Sequence, residues 1–334
     1  MTTVLESLGA GLQASLSESP AVFFLGEDIL DPYGGAFKIA RGLSTAFPDR
    51  VITSPVSEAG LVGVALGMAL RGLRPVVEIM FGDFTLLAAD QLINHAAKVR
   101  WLSGGKAHAP MVVRTPMGGR RGYGPTHSQT LEKHFLGAPG LRVVAASALG
   151  DPGAMLRAAV LEDDDPVLFV ENKSLYAVAV QPTSSLQDIE VSVHGRRYPT
   201  YQLRVAGAPA SGLTLAAYGL CGELARQAAT RLAFEDEIFA DVFVFTELSP
   251  HRPEALHESL ARTRRLLTIE EGTRFLGWGA EIVAQAVEAL GPGVQAGRVA
   301  ALDMPVPSAG SLEAAVLPGV ETIISAARAV AGRS

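Results

Sequence analysis

Two segments of this chain hold residues whose type and spacing suit chemistry. The first is Ser57-Glu58-Ala59-Gly60-Leu61-Val62-Gly63, which puts an acid at the mouth of a helix. A carboxyl group there can give or take a proton. It is equally at home as a first-turn glutamate favoured by the helix dipole. The second runs from Arg114 through Gly118-Gly119-Arg120-Arg121-Gly122-Tyr123-Gly124 to His127-Ser128-Gln129. Loops at the carboxyl ends of parallel strands are where such sheets bind ligands. Imidazole, with an ordinary pKa of about 6.5, is a ready proton carrier in such a loop. The plain alternative is a flexible surface loop with an incidental histidine.

The surrounding elements must position these groups. Val4, Leu5, Leu8, Leu12 and Leu16 share one face of a helix. Short apolar runs at 21–25, 74–80, 110–114, 141–145 and 166–170 are strand-length and bounded by Gly or Pro, with helical stretches between them at 58–71 and 86–99. Continuous apolar strands alternating with helices predict a parallel sheet covered on both faces. Residues 177–212 are rich in Pro, Gly and Ser and read as a connection with one or two strands. A second α/β series follows, with strands at 213–218, 241–246, 265–269 and 299–301 and helices at 222–232, 254–262, 279–290 and 320–330. The expected organisation is therefore α/β, with two doubly wound domains over 1–180 and 210–334 and a linker at 181–209.

The helix opened by Glu58 contains Gly60, Gly63 and Gly67. Each costs about 1 kcal/mol against alanine, so a row of them implies close approach of another backbone, within the fold or across a subunit interface. The 334 residues carry a net charge of −6, with no general pull on nucleic acid or anionic lipid. No uncharged apolar run reaches the roughly 18 residues of a spanning helix, so no membrane partner is expected. The single cysteine, Cys221, fits a reducing compartment, and the expectation is cytoplasmic. There is no Gly-x-Gly-x-x-Gly, phosphate-loop lysine, Cys-x-x-Cys, His-Glu-x-x-His or Gly-x-Ser-x-Gly.

Taken in order, Leu25-Gly26-Glu27-Asp28, Tyr33-Gly34-Gly35-Ala36-Phe37, Ser57-Glu58-Ala59-Gly60 and the glycine-rich loop into His127-Ser128-Gln129 resemble the β subunits of 2-oxo acid dehydrogenases. These are thiamine diphosphate enzymes of the transketolase superfamily. The resemblance continues through Pro139-Gly140-Leu141, Asp165-Pro166-Val167, Glu171-Asn172, Thr268-Ile269-Glu270-Glu271-Gly272 and Asp303-Met304-Pro305-Val306-Pro307, covering nearly the whole chain.

The resemblance implies a pyrimidine-binding domain followed by a transketolase C-terminal-type domain. It also implies a division of labour. Diphosphate and magnesium are held by an α partner through a Gly-Asp-Gly motif, which this chain lacks. The assembly would be two α and two β chains. Glu58 would hydrogen-bond the pyrimidine ring nitrogen and favour the imino tautomer that deprotonates the thiazolium carbon. Met80 and Phe84 would line the pyrimidine pocket, and His127 would serve as the acid or donor during acyl transfer. Main-chain carbonyls of Met111, Val160, Leu161, Asp163 and Asp165 match a potassium site.

The implied reaction is decarboxylation of a 2-oxo acid, with the acyl group passed to lipoyl-lysine on an acyltransferase. The alternative is a split transketolase-like carboligase with an aldehyde or ketone acceptor. Departures from the family pattern are Arg120 and Arg121 in the loop, Gly137 in place of a histidine, and His251-Arg252 after Pro250 where relatives carry an acid. The two arginines read as solvated loop charges, or as attractors of an anionic substrate or acceptor.

Overall fold

The structure, a computed structural model, describes residues 1–332. Six strands, β1 (Val22–Gly26), β2 (Val51–Thr53), β3 (Arg74–Glu78), β4 (Val112–Met117), β5 (Arg142–Ala145) and β6 (Val167–Asn172), run parallel in the order β5-β6-β4-β3-β1-β2. The second sheet has β7 (Ile189–His194), β8 (Thr200–Val205), β9 (Leu213–Tyr218), β10 (Ala240–Phe245), β12 (Arg265–Thr273) and β13 (Gln295–Ala301), in the order β13-β12-β9-β10-β8-β7. β11 (Glu247–Ser249) leaves the second half and pairs antiparallel with β5, so the first sheet ends on a strand from the other half of the chain.

The central strands are buried along their whole length, β4, β9 and β10 without a break. This is why their sequences read as continuous apolar runs rather than alternating ones. Helix Val4–Glu18 opens with a Thr3–Glu6 capping box and crosses helix Pro152–Glu162 at very short range. A Cβ on Gly11 would lie 2.2 Å from the Gly153 carbonyl oxygen, so only glycine permits that crossing.

One expectation changes. The segment 86–99 is not one α-helix. It is a 3₁₀ helix Gly82–Ala88, a π turn Gln91–His95, a 3₁₀ turn Ala96–Lys98 and a short α-helix Val99–Leu102. Tertiary contact overrides the helical pattern: a Cβ on Gly82 would meet Met117 Cγ at 2.2 Å, and Asp83 is tied to Gln129. The connection at 181–209 holds β7 and β8, an antiparallel pair that joins the second sheet through β10. The one or two strands read there from the sequence are thus two, and they extend the second sheet. The apolar stretch Gly310–Ala331 is long enough by composition to cross a membrane. It breaks at Leu317-Pro318-Gly319 into helices Gly310–Val316 and Val320–Ala331, and the second packs Ile323, Ile324 and Ala327 into the core on the second sheet.

Candidate active site

β1, β3, β4 and β6 end on the same edge of the first sheet, and the candidate residues follow those ends. A plate of buried charge lies at this edge. Arg114 on β4 binds Glu171 through Nε at 2.8 Å and a terminal nitrogen at 2.6 Å, and also binds Glu78 at the end of β3. The Tyr176 hydroxyl donates to Glu171 at 2.6 Å. Burial pushes the Glu78 carboxyl up, while the Arg114 charge opposes the shift. Gly35, at φ +80°, is pressed on this plate: a Cβ there would sit 2.7 Å from Glu78 Oε1. This explains the paired glycines after Tyr33.

Beyond β3 the chain delivers Phe81 and Phe84 to His127. The imidazole lies edge-on to both rings, with centroids at 4.8 Å from Phe81 and 5.3 Å from Phe84. Thr126 Oγ1 is 3.0 Å from His127 Nδ1. Nε2 is therefore the nitrogen left for a ligand. Lys173, fully buried just past β6, donates to the His127 carbonyl oxygen, and its ammonium lies 5.2 Å from the Phe81 ring centroid. Burial lowers the lysine pKa to about 8, with the Asp83 and Glu271 charges holding it up. At neutral pH it stays a cation and pins the His127 backbone.

Glu58 is 4% exposed at the first position of helix Glu58–Leu70 and makes no side-chain hydrogen bond among the described residues. Ser57 caps that helix by accepting from the Gly60 N–H at 3.3 Å, and its own N–H donates to Glu27 Oε1 at 2.8 Å. Burial raises the Glu27 pKa; the Ser57 N–H opposes the rise, and Glu58 and Asp28 add to it. The same helix packs on the segment Gly82–Ala88 that carries Phe84. Met80 is half-buried two residues past the end of β3. Asp83 accepts from Gln129 Nε2 at 2.8 Å, yet its Oδ2 and the Ser128 hydroxyl are buried without a partner. An unpaired buried acid, orphaned polar atoms and aromatic edges fit a flat heteroaromatic ligand with hydrogen-bonding ring nitrogens.

Sequence families described as "Transketolase, pyrimidine binding domain" and "Transketolase, C-terminal domain" match residues 2–178 and 206–323. The chain is 36% identical over 331 residues to the pyruvate dehydrogenase E1 component subunit beta-1, mitochondrial, of Oryza sativa subsp. japonica, covering 98% of this chain and 86% of that protein. It is 34% identical over 334 residues to the pyruvate dehydrogenase E1 component subunit beta of Rickettsia felis, with 98% of each covered.

The chain belongs to the pyruvate dehydrogenase E1 β-subunit family. A solved structure, "Split gene transketolase, inactive beta4 tetramer", matches over 99% of both chains with a TM-score of 0.76 at 21% identity, and shows the same fold. The E1 β family is a thiamine diphosphate family.

Against that family several positions stand differently from expectation. Arg120 is only partly exposed and is not a free loop charge. Its N–H donates to Glu313 at 2.7 Å, its guanidinium reaches the Pro318 carbonyl and stands 3.7 Å from Glu271, and its φ is +69°. Arg121 donates to the Lys173 carbonyl at 2.8 Å. Gly119 N–H donates to Glu271 at 2.8 Å, and Gly122 N–H to Glu313 at 3.2 Å. The loop is thus fastened to the second half of the chain. His251 lies against Phe245 and Trp278, with its pKa pushed down to about 4 by burial. Three of the five expected potassium carbonyls already hold donors: the Arg74 guanidinium sits on those of Val160 and Asp163, and the Met111 carbonyl accepts from the Val167 N–H at 2.9 Å. Phe81 and Lys173 were absent from the sequence-based site. Lys173 left a signal, a charge directly after the apolar strand and the Glu171-Asn172 pair.

Proposed function

We propose that this chain is the β half of a dehydrogenase that decarboxylates a small 2-oxo acid of the pyruvate class and passes the acyl group to lipoyl-lysine on an acyltransferase. An α partner would supply the diphosphate and magnesium site, since the Gly-Asp-Gly motif is absent. A second β chain would meet the exposed face of helix Glu58–Leu70, where Gly60, Val64 and Gly67 line up at helical spacing. The observation that carries the reading is Glu58: a buried residue whose carboxyl has no hydrogen-bond partner among the described residues, at the edge of the sheet that also presents His127.

When bound, thiamine diphosphate supplies the electron sink for the carbon freed on loss of carbon dioxide. Glu58 holds or shares a proton with the pyrimidine ring nitrogen. His127, edge-on to Phe81 and Phe84, presents Nε2 to the acyl carbon's oxygen or to the arriving sulfur. Lys173 fixes the histidine backbone, and the aromatic rings exclude water.

The test is Glu58→Gln in the complex co-purified with its α partner. Assembly and folding persist, and oxidant-coupled decarboxylation falls roughly 10²–10⁴-fold, the range for a positioned acid–base group. Near-normal turnover would return Glu58 to the role of a helix-start acid.

A further inference from the structure

Helix Pro152–Glu162 ends in four consecutive acids, Glu162-Asp163-Asp164-Asp165, at the negative end of its dipole. Its last carbonyls have no intrahelical donor. No basic residue stands in its last turn. Carbonyl oxygens and negative charge together form a place where a monovalent cation replaces its hydration shell.

Arg74, the first residue of β3, fills that place from 86 residues away in sequence. One terminal nitrogen of its guanidinium donates to both the Val160 carbonyl at 3.1 Å and the Asp163 carbonyl at 2.8 Å. The other donates to Asp164 Oδ1 at 2.9 Å. The remaining acids are taken as well. Asp163 binds Arg197 at 2.7 Å and the Tyr198 hydroxyl, with Arg142 at 3.3 Å. Glu162 stands 3.6 Å from Arg197, and Asp165 binds Arg100 at 2.6 Å. A potassium ion on the Val160 and Asp163 oxygens would have to displace an N–H donor already aimed at both.

We infer that the Arg74 guanidinium is the resident cation of this carbonyl cluster, a tethered replacement for potassium. It carries the same single charge. Because it is covalently part of β3, it also ties that strand to the turn leading into β6. β3 is the strand whose far end delivers Met80, Phe81 and Phe84. The chain then holds this part of its sheet together whatever the monovalent ion in solution.

The test uses the full chain and reads thermal stability, not turnover. Wild type is melted in potassium, sodium and choline chloride at matched ionic strength, and thallium(I) binding is followed by its nuclear resonance. Superimposable melts and no saturable thallium site are expected. Arg74→Met opens the cluster. Its Tm in choline should fall by at least about 2 °C, the scale of a 1 kcal/mol loss in a chain of this size. Potassium, or guanidinium at concentrations too low to denature, should restore it. A saturable rise of the wild-type Tm in potassium over choline would overturn the inference. So would an Arg74→Met protein as stable as wild type in choline, or one destabilised but rescued by neither cation, which would make Arg74 an ordinary structural contact. Should Arg74→Met fail to fold, the wild-type ion series still decides. Arg74→Lys, which keeps the charge and loses the fork, should then fold with a Tm insensitive to potassium; potassium-dependent melting of that variant would also overturn the inference.

Discussion

Replacing Glu270 with glutamine should remove a pH dependence of stability that this one carboxyl creates. Glu270 is 1% exposed on β12 and accepts the N–H groups of Trp278 at 2.7 Å and Gly279 at 2.9 Å, at the start of helix Trp278–Leu290. Burial pushes its pKa up to about 7; the Gly279 N–H opposes this, the Glu132 charge adds to it, and the Trp278 N–H and Lys133 oppose it. In the unfolded chain the group titrates near its ordinary value of 4.5. Between these values the folded state keeps a proton that the unfolded state has released. The folded state binds more protons, so stability falls as pH rises through this window and levels off above about 7. At 1.36 kcal/mol per pKa unit the whole window is worth about 3 kcal/mol. Urea unfolding between pH 5 and 8 measures it, with Trp278 as a reporter because its own N–H is one of the donors. Trp101, exposed at the surface, is the second of the two tryptophans and is changed to phenylalanine in both proteins. Burial also raises Glu27, Glu78 and Glu132. Wild type therefore carries their contributions too, and the reading is the difference between the two profiles. Parallel profiles for wild type and Glu270→Gln would refute the argument.

Two further outcomes bear on the proposed reaction and assembly. His127→Ala should lose acylation of a lipoyl domain far more than oxidant-coupled decarboxylation; equal loss of both would place His127 in the first half-reaction. Gly67→Leu should abolish assembly, since leucine there adds bulk to the exposed stripe with Gly60 and Val64 and overpacking costs typically 1–3 kcal/mol; sedimentation showing unchanged oligomeric mass with unchanged activity would remove that helix from the interface.

The parts of the site that were legible in the sequence are those announced by local pattern. Glu58 follows a helix-start signal and His127 closes a glycine-rich loop after a strand, and both stand where parallel strands end. What stayed hidden depends on contacts far apart in the chain. Phe81 is one residue from Met80, and the direction of a side chain at a strand end, where the period of two stops, cannot be counted from sequence. Arg74 opens a strand and looks like an edge charge; its partners lie 86 to 90 residues on. The 86–99 stretch reads as a helix, yet contacts of Gly82 with Met117 and of Asp83 with Gln129 just before it accompany a run of 3₁₀ and π turns.

Arg120 is the most instructive misreading. Glycine-rich loops are ordinarily mobile, and a double arginine in one suggests a solvated tip. Here Glu271, from the strand β12, and Glu313, from the helix Gly310–Val316, accept the N–H groups of Gly119, Arg120 and Gly122. The strand and helix that carry those acids sit in the second half of the chain, and the loop they hold ends at His127. The same half supplies the Tyr218 hydroxyl to Glu132, the carbonyl of Phe275 to Lys133 at 2.8 Å, and β11 to the edge of the first sheet. A glycine loop costs conformational entropy to hold in one shape. Buried carboxylates bridging from another sheet can meet that cost, because several charge-assisted bonds form together. The second half of this chain therefore acts on the candidate histidine through the loop that carries it.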